Sequence, residues 1–145
     1  MVRAKEKATD RFSLELQLAN FIDVASAETG SLAADQVRRA RVFGVVGCGA
    51  TRLVLPGSIV KLLGLKPKRK VRVKYADGRH RLRDEVDGVQ VVMAGRTGVF
   101  KAVVEPKRET ALIGAIVLED LDFLVDCERK RVVPRDPRYV VSELE

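Results

Sequence analysis

The sequence predicts a mostly β fold, a barrel or a sandwich, with two short helices. Short segments that alternate apolar and polar residues recur along the chain, and glycine and turn residues separate them. Two segments have the apolar spacing and the end residues of a short helix. Of the 145 residues, 46% are hydrophobic, which is enough for one domain with a sizeable core.

The first half of the chain contains two predicted strands and the first predicted helix. Residues 12–19 alternate apolar and polar side chains with period two, which is the pattern of a half-buried strand. Residues 37–46 begin polar and become continuously apolar, which is typical of a strand whose second half is buried on both faces. The predicted helix, 57–64, begins next to Pro56 and ends at Gly64.

The second half predicts two hairpins, a strand that leads into the second helix, and two closing strands. Asp-Gly at 77–78, between alternating segments, is the strongest short-range hairpin signal. A second hairpin folds around 95–96, and the next apolar segment breaks at Gly114 into a short helix. The closing strands are 123–126 and 131–134. Short strands at this regular spacing indicate a barrel or sandwich.

The turn at Asp77 and Gly78 also predicts the register of its hairpin. A two-residue turn pairs Tyr75 with His80, and strand alternation then separates two faces. One face carries Val73, Tyr75, His80 and Leu82. The other is a basic face of Arg72, Lys74, Arg81 and Arg83. Because like charges directly opposite each other are destabilising, this face is expected to be well solvated or to meet an acidic partner.

The net charge of +7 is concentrated in one block. Residues 66–83 contain nine basic residues and one acidic residue, Asp77, so the rest of the chain is close to neutral. Such a block attracts acidic partners at low salt, and it equally serves as a solvated face. Nucleic acid is an unfavoured partner, because the chain has no Trp and Tyr75 is the sole aromatic residue in the block.

Composition argues against several other classes of protein. Cys48 and Cys127 match neither a disulfide framework nor the spacing of zinc ligands, so no metal or cofactor is expected. No stretch approaches the roughly 18 apolar residues of a membrane-spanning helix. The first ten residues lack the apolar segment of a signal peptide. The sequence therefore predicts a cytoplasmic protein that does not associate with membranes.

Several markers occur along the chain in a fixed order. Residues 49–56 read Gly-Ala-Thr-Arg-Leu-Val-Leu-Pro and precede the helical segment 60–65. Then follow Tyr75, Ala76, Asp77 and Gly78, later Leu112, Ile113 and Gly114, and finally 124–126 and 132–137. This ordered set resembles the retroviral-type (retropepsin-like) aspartic proteases, in particular their small bacterial relatives. In that family the corresponding segments are the active-site loop with its helix, the flap, the second apolar-apolar-Gly element and the closing strands.

The resemblance covers 12–137 and implies an all-β, closed retropepsin-like acid-protease barrel with two short helices. Residues 1–11 and 138–145 are then tails. The family acts as a homodimer in which each subunit supplies one aspartate, and an extended peptide is held under the flaps. The two carboxyls share one proton, so that one activates water and the other acts as the acid.

The sequence departs from the family at its catalytic position. Aligning Gly49, Ala50 and Thr51 places Gly47 where the aspartate stands and Cys48 where a threonine stands. Glycine supplies neither an acid nor a base. The resemblance therefore implies the fold and the dimer but not the hydrolytic mechanism.

Three interpretations of this loop remain open. The chain is a degenerate protease that binds an extended acidic peptide, or less favourably nucleic acid, without hydrolysis. Alternatively, Gly47 replaces an aspartate in an otherwise active aspartic endopeptidase. In the third interpretation Cys48 is a nucleophile and His80 is its base. A lone thiol beside apolar strands is more often a small buried hydrophobe, which disfavours the third interpretation.

Overall fold

The computed structural model describes residues 12–47 and 49–145 in full, and 2–3 and 5–6 by their backbone. The strands in these residues are β1 (Val2–Arg3), β2 (Lys5–Glu6), β3 (Phe12–Asn20), β4 (Arg39–Val46), β5 (Leu53–Pro56), β6 (Arg69–Lys74), β7 (His80–Met93), β8 (Arg96–Glu105), β9 (Ala111–Ile113), β10 (Phe123–Asp126) and β11 (Arg131–Pro134). The helices are α1 (Phe21–Glu28), α2 (Gly57–Leu62) and α3 (Ala115–Asp120), and Ala34–Gln36 form a 3-10 turn.

Six strands close into a barrel in the order β3-β4-β9-β5-β8-β7. Closure occurs at β3, which pairs with β4 on one edge and with β7 on the other. Gln17, for example, lies opposite Arg41 of β4 and opposite Val92 of β7. Beyond the barrel, β6 pairs with residues 80–85 of β7, and this hairpin, 69–85, forms an arm. Strands β1, β11 and β10 form a separate three-stranded sheet. The predicted barrel is therefore present.

The barrel interior is filled by the apolar residues that the strand alternation predicts. Leu14, Leu16 and Leu18 of β3 point inward and are at most 3% exposed. Leu53 of β5 and Ile113 of β9 are fully buried in the same core. Each such side chain stabilises the fold by about 1.5–3 kcal/mol through its removal from water. This core fixes the strands that carry the candidate site.

The described residues contain one α-helix more than the two that the sequence predicts. Helices α2 and α3 lie where the sequence indicates them, but α1 follows β3 directly. The Asn20 side chain caps α1 by accepting a hydrogen bond from the Asp23 backbone N–H at 3.1 Å. The Asp23 carboxylate in turn binds the Arg38 guanidinium at 2.7 Å. These polar contacts hold the helix at the end of the barrel strand.

The predicted register of the β6–β7 hairpin is wrong by one residue. Lys74 lies opposite His80, whereas the two-residue turn had placed Tyr75 there. The Tyr75 N–H donates to the Arg79 carbonyl at 2.8 Å, so three residues form the turn. Gly78 adopts a φ of +88°, which glycine accommodates without steric cost. A three-residue turn that ends in this left-handed glycine therefore replaces the expected two-residue turn.

The two expected tails contact the rest of the fold. Val2–Arg3 pair with β11, and Lys5–Glu6 pair with β3. At the other end, 138–145 contain no helix or strand, but the Val141 N–H donates to the buried Asp122 carboxylate at 2.9 Å. Both ends of the chain thus make hydrogen bonds with the rest of the fold.

Candidate functional site

The candidate site is the loop 47–52, whose described residues, 47 and 49–52, lie next to the end of β9. Strand β9 lies between β4 and β5, parallel to the first and antiparallel to the second. The Gly47 N–H donates to the Ile113 carbonyl at 3.3 Å. The N–H groups of Ala115 and Ile116 donate to the carbonyls of Ala50 and Thr51, each at 3.0 Å. Hydrogen bonds therefore join the described residues of the loop 47–52 to 113–116, at the end of the second predicted element.

Gly114 lies where two backbone segments are closest. A Cβ atom at this position would lie 2.4 Å from the Arg52 carbonyl oxygen and 2.4 Å from the Thr51 carbonyl carbon. Backbone atoms in a hydrogen-bonded loop have little freedom to move away. The absence of a side chain at Gly114 is thus a requirement of the loop's position against β9 and α3.

Gly47 differs from Gly114 in what surrounds it. Its φ is not positive, so its backbone conformation is open to other residues. A Cβ atom at Gly47 would lie 2.9 Å from Leu112 Cδ1, the flexible end of a half-buried side chain, and 3.4 Å from the Ala50 Cβ. A small displacement of Leu112 accommodates a side chain here. The fold therefore does not require glycine at the position that the resemblance assigns to the aspartate.

The third interpretation of the loop has little support from the described residues. Cys48 itself lies outside them. His80 is exposed at the first residue of β7, opposite Lys74. Its ring makes no hydrogen bond within the described part of the chain. A base that activates a nucleophile is normally oriented by a third group, and His80 has none there.

Glu85 has a buried carboxylate that forms an ion pair with Arg52 of the loop. Its side chain is 3% exposed and accepts hydrogen bonds from the guanidinium groups of Arg52 and Arg69, each at 2.7 Å. Arg52 is the last residue of the loop, and Arg69 lies opposite Glu85 in the β6–β7 hairpin. The bond from Arg69, followed by that from Arg52, lowers the pKa of Glu85 to about 2 against the opposing effect of burial. Glu85 is therefore ionised at neutral pH and connects the hairpin base to the loop.

A second acidic side chain holds the tip of the hairpin. The Tyr75 hydroxyl donates to Glu105 Oε2 at 2.5 Å, and Arg83 Nε donates to Glu105 Oε1 at 2.6 Å. Burial and the bond to Glu105 raise the pKa of Tyr75. Glu105 is the last residue of β8, so these bonds fasten the arm to the barrel wall. Of the predicted flap residues, Tyr75 contacts the barrel, whereas Ala76, Asp77 and Gly78 are exposed.

The four residues of the predicted basic face lie on two faces. Arg72 and Lys74 lie opposite Leu82 and His80, and this face is exposed. Arg81 and Arg83 lie opposite Val73 and Val71, on the face that carries Tyr75. The one-residue change in register causes this division, because neighbouring residues of a strand point to opposite sides. The prediction of a single basic face is therefore wrong.

Sequence reasoning missed three residues of this region: Arg52, Glu85 and Glu105. Their partners are 16 to 33 residues away along the chain, so no local pattern reveals the contacts. One signal was available for Glu85. It is an acidic residue in a strand beside an otherwise basic segment, and a charge at a buried strand position needs an opposite charge nearby.

Neither a metal site nor a membrane-spanning helix occurs in the described part of the chain. No three His, Cys, Asp or Glu side chains there converge in a way that suits a metal ion. The helices among residues 12–47 and 49–145 are all too short or too polar to cross a bilayer.

Comparison with solved structures identifies the class of fold. The structure described as EIAV protease complexed with the inhibitor HBY-793 is similar to this chain, with a TM-score of 0.53. The sequence identity is 14%, and the match covers 81% of this chain and 93% of that chain. No protein-family model and no curated protein matches the sequence. The fold is thus a retropepsin-like barrel, as the sequence predicts; at this identity the similarity extends to the fold alone.

Proposed function

We propose that this chain is a retropepsin-like protein that binds an extended peptide as a homodimer and does not hydrolyse it. The proposal rests on the absence of a side chain at Gly47, which directly follows β4. The resemblance assigns Gly47 to the position at which the resembled proteases have their aspartate, and the Gly47 N–H donates to the Ile113 carbonyl. A glycine cannot share a proton across a dimer axis or activate water.

Glu85 does not replace the missing carboxylate. It is enclosed by two guanidinium groups, and its pKa of about 2 keeps it ionised above that pH. A general acid needs a proton at the working pH, and a general base works best with a pKa near that pH. Glu85 supports the position of the loop and the hairpin, and its lowered pKa does not suit a general acid or base at neutral pH.

The charge on the hairpin supports an acidic ligand. Arg72 and Lys74 form no ion pair within the described residues, and Arg81 donates only to the backbone carbonyl of His80. Arg83, by contrast, is bound to Glu105. Arg72 and Lys74 on one face of the hairpin are thus available to carboxylates of a peptide that lies along that face, and Arg81 is available on the other face.

The proposal predicts that acidic-peptide binding depends on the arm. A decapeptide rich in glutamate is expected to bind the wild-type chain at low salt and to weaken steeply as the ionic strength passes about 0.15 M, where the Debye length is about 8 Å. The variant R72E/K74E is expected to lose this binding, because repulsion replaces attraction. Fluorescence anisotropy of the labelled peptide measures both effects.

The matched control is R129E/R138E, which reverses two exposed charges outside the hairpin. It is expected to bind the decapeptide within about twofold of wild type. The proposed acidic ligand is contradicted if the affinity does not depend on salt, or if both double variants lose binding equally. Either result would indicate that the basic residues of the arm are simply solvated.

A second candidate function is an aspartic endopeptidase in which Gly47 stands in place of the catalytic residue. The geometry at Gly47 favours this candidate, because only the end of Leu112 lies within 3.0 Å of the position that a Cβ atom would take, and the backbone conformation is an ordinary one. The Cβ atom of an aspartate therefore needs only a shift of the Leu112 side chain at this position.

One assay separates the two candidates. The wild-type chain is expected to show no pepstatin-sensitive cleavage of a peptide library at any pH from about 3 to 8, the range in which a carboxylate pair titrates. If the second candidate holds, G47D gains such cleavage at acidic pH and G47A, which adds only the Cβ atom, does not. Cleavage by the wild-type chain contradicts the first candidate, and inactive G47D contradicts the second. Sedimentation of the same samples reports whether the dimer forms.

A further inference from the structure

A depression lies on the outer surface of the barrel where β3 is paired on both edges. Its walls include Gln17, Arg39, Arg41 and Gln90, and Ala19 lies at its bottom. The register explains the shape. Ala19 is directly opposite Arg39 on one side and Gln90 on the other, so a single methyl group stands between two long side chains. The depression is a consequence of the small residue at this place in β3.

The depression is separate from the loop 47–52. Strands β3 and β4 are antiparallel, and the loop follows the end of β4 that lies beside Ser13. Ala19 is six residues from Ser13 along β3, which corresponds to about 20 Å at the usual rise of a strand. A ligand in the depression is therefore independent of the peptide-binding function proposed above.

Two arginines in the depression have no acidic partner among the residues that the structure describes. Arg38, the residue before them, is bound to Asp23 through its Nε and Nη2 atoms at 2.7 and 3.0 Å. Arg39 and Arg41 are exposed and make neither an ion pair nor a side-chain hydrogen bond within the described residues. They are two positions apart on one strand, so both point outward from the same face, with their Cα atoms about 7 Å apart.

The other polar residues of the depression, Gln17 and Gln90, add hydrogen-bond donors but no negative charge. The amides of Gln17 and Gln90 each present an NH2 group. None of the residues that line the depression is acidic. The next outward residue of β3 beyond Gln17 is Glu15, opposite Phe43, so the basic surface ends there. The basic part of the depression is therefore large enough for one anionic group but not for a long anionic chain.

We propose that this depression binds the dianionic phosphate of a phosphate monoester. Two guanidinium forks and two amides supply more donors than a single carboxylate accepts, whereas a terminal phosphate offers three acceptor oxygens. The charges match as well, because two arginines balance the roughly −1.5 to −2 charge of a monoester at pH 7. A phosphodiester carries one negative charge and one fewer terminal oxygen, so nucleic acid is a poorer ligand.

The experiment uses the full chain and O-phosphoserine as the probe. Titration followed by NMR is expected to give saturable shifts of the backbone amides of 17–19, 39–41 and 90–92. The variant R39Q/R41Q is expected to bind at least tenfold more weakly, because both forks are lost while the side chains remain long and polar. R39K/R41K keeps the charge but not the bidentate geometry and is expected to bind more weakly than wild type.

The control R129Q/R138Q removes the same charge from another part of the surface and is expected to bind within about twofold of wild type. A phosphoserine hexapeptide and inorganic phosphate distinguish the source of the phosphate. Tighter binding of the hexapeptide indicates a protein-borne group, and equal binding indicates a small molecule. The proposal is overturned if the shifts do not saturate, if R39Q/R41Q and R129Q/R138Q weaken binding equally, or if dimethyl phosphate binds as tightly as O-phosphoserine.

Discussion

Replacing Gly114 with alanine is expected to lower the free energy of unfolding by about 3 kcal/mol or more. The added methyl group would lie 2.4 Å from backbone atoms of Thr51 and Arg52. Those atoms belong to the loop whose carbonyls accept the first hydrogen bonds of α3, so moving them breaks the bonds to Ala115 and Ile116. Overpacking against backbone is more costly than overpacking against a side-chain end that can rotate. Denaturant unfolding followed by circular dichroism measures the change.

Gly49 provides the matched control for this substitution. It lies in the same loop, is exposed, and has no atom within 4 Å of the position of a Cβ. G49A is therefore expected to change the free energy of unfolding by less than about 0.5 kcal/mol. Equal effects of G114A and G49A would mean that the loop does not lie against β9 as described.

The variant E85Q is expected to be less stable than wild type by about 2–3 kcal/mol at pH 7. The amide keeps the size of the side chain, but it replaces the charge that two guanidinium groups bind at 2.7 Å. Because Arg52 and Arg69 are partly exposed, water compensates some of their loss. The expected value is accordingly below that of a fully buried broken ion pair.

The pH dependence of stability gives a second measurement on the same residue. The pKa of Glu85 is lowered from 4.5 to about 2 in the folded chain. A lowered pKa stabilises the fold above the unfolded pKa, and this contribution is lost as the pH falls toward the folded pKa. As the pH falls from 4.5 to 2, the free energy of unfolding is therefore expected to decrease more for wild type than for E85Q, because the glutamine cannot be protonated in this range.

The neighbouring ion pair supplies the control for E85Q. Asp84 binds Lys70 at 2.6 Å, but both side chains are about a third exposed or more. Exposed pairs contribute about 0–1 kcal/mol, so D84N is expected to have a small effect at pH 7. If D84N and E85Q destabilise equally, burial of Glu85 between the two arginines is not the source of the effect.

The parts of the fold that the sequence predicts are those with a local physical signature. The period-two alternation of residues 12–19 follows directly from the inward side chains of β3. The helix α2 lies between the turn residues that mark its ends. Helix α1 was missed although Asn20 stands at its start and Thr29 at its end, because its apolar pattern is weak beside that of the preceding strand.

The hairpin shows where local reasoning is insufficient. The Asp77-Gly78 pair correctly located the turn, but the same pair occurs in two-residue and three-residue turns. The choice between them moves every side chain of one strand to the opposite face. In the observed register, Tyr75 and Arg83 bind Glu105. Because Glu105 is distant along the chain, the hairpin sequence alone does not predict these contacts.

The position of β6 at the end of the eight-stranded sheet gives the basic block a further physical role. One edge of β6 pairs with β7, and the sheet has no strand beyond its other edge within the described residues. An unpaired edge presents N–H and C=O groups to which a strand of another molecule can add, which leads to aggregation. Arg69, Lys70, Arg72 and Lys74 lie along this strand. Arg69 and Lys70 are paired with Glu85 and Asp84, whereas Arg72 and Lys74 form no ion pair within the described residues. Two copies that approached edge to edge would bring these unpaired like charges together, so the residues that we propose bind acidic ligands also oppose pairing between two sheets.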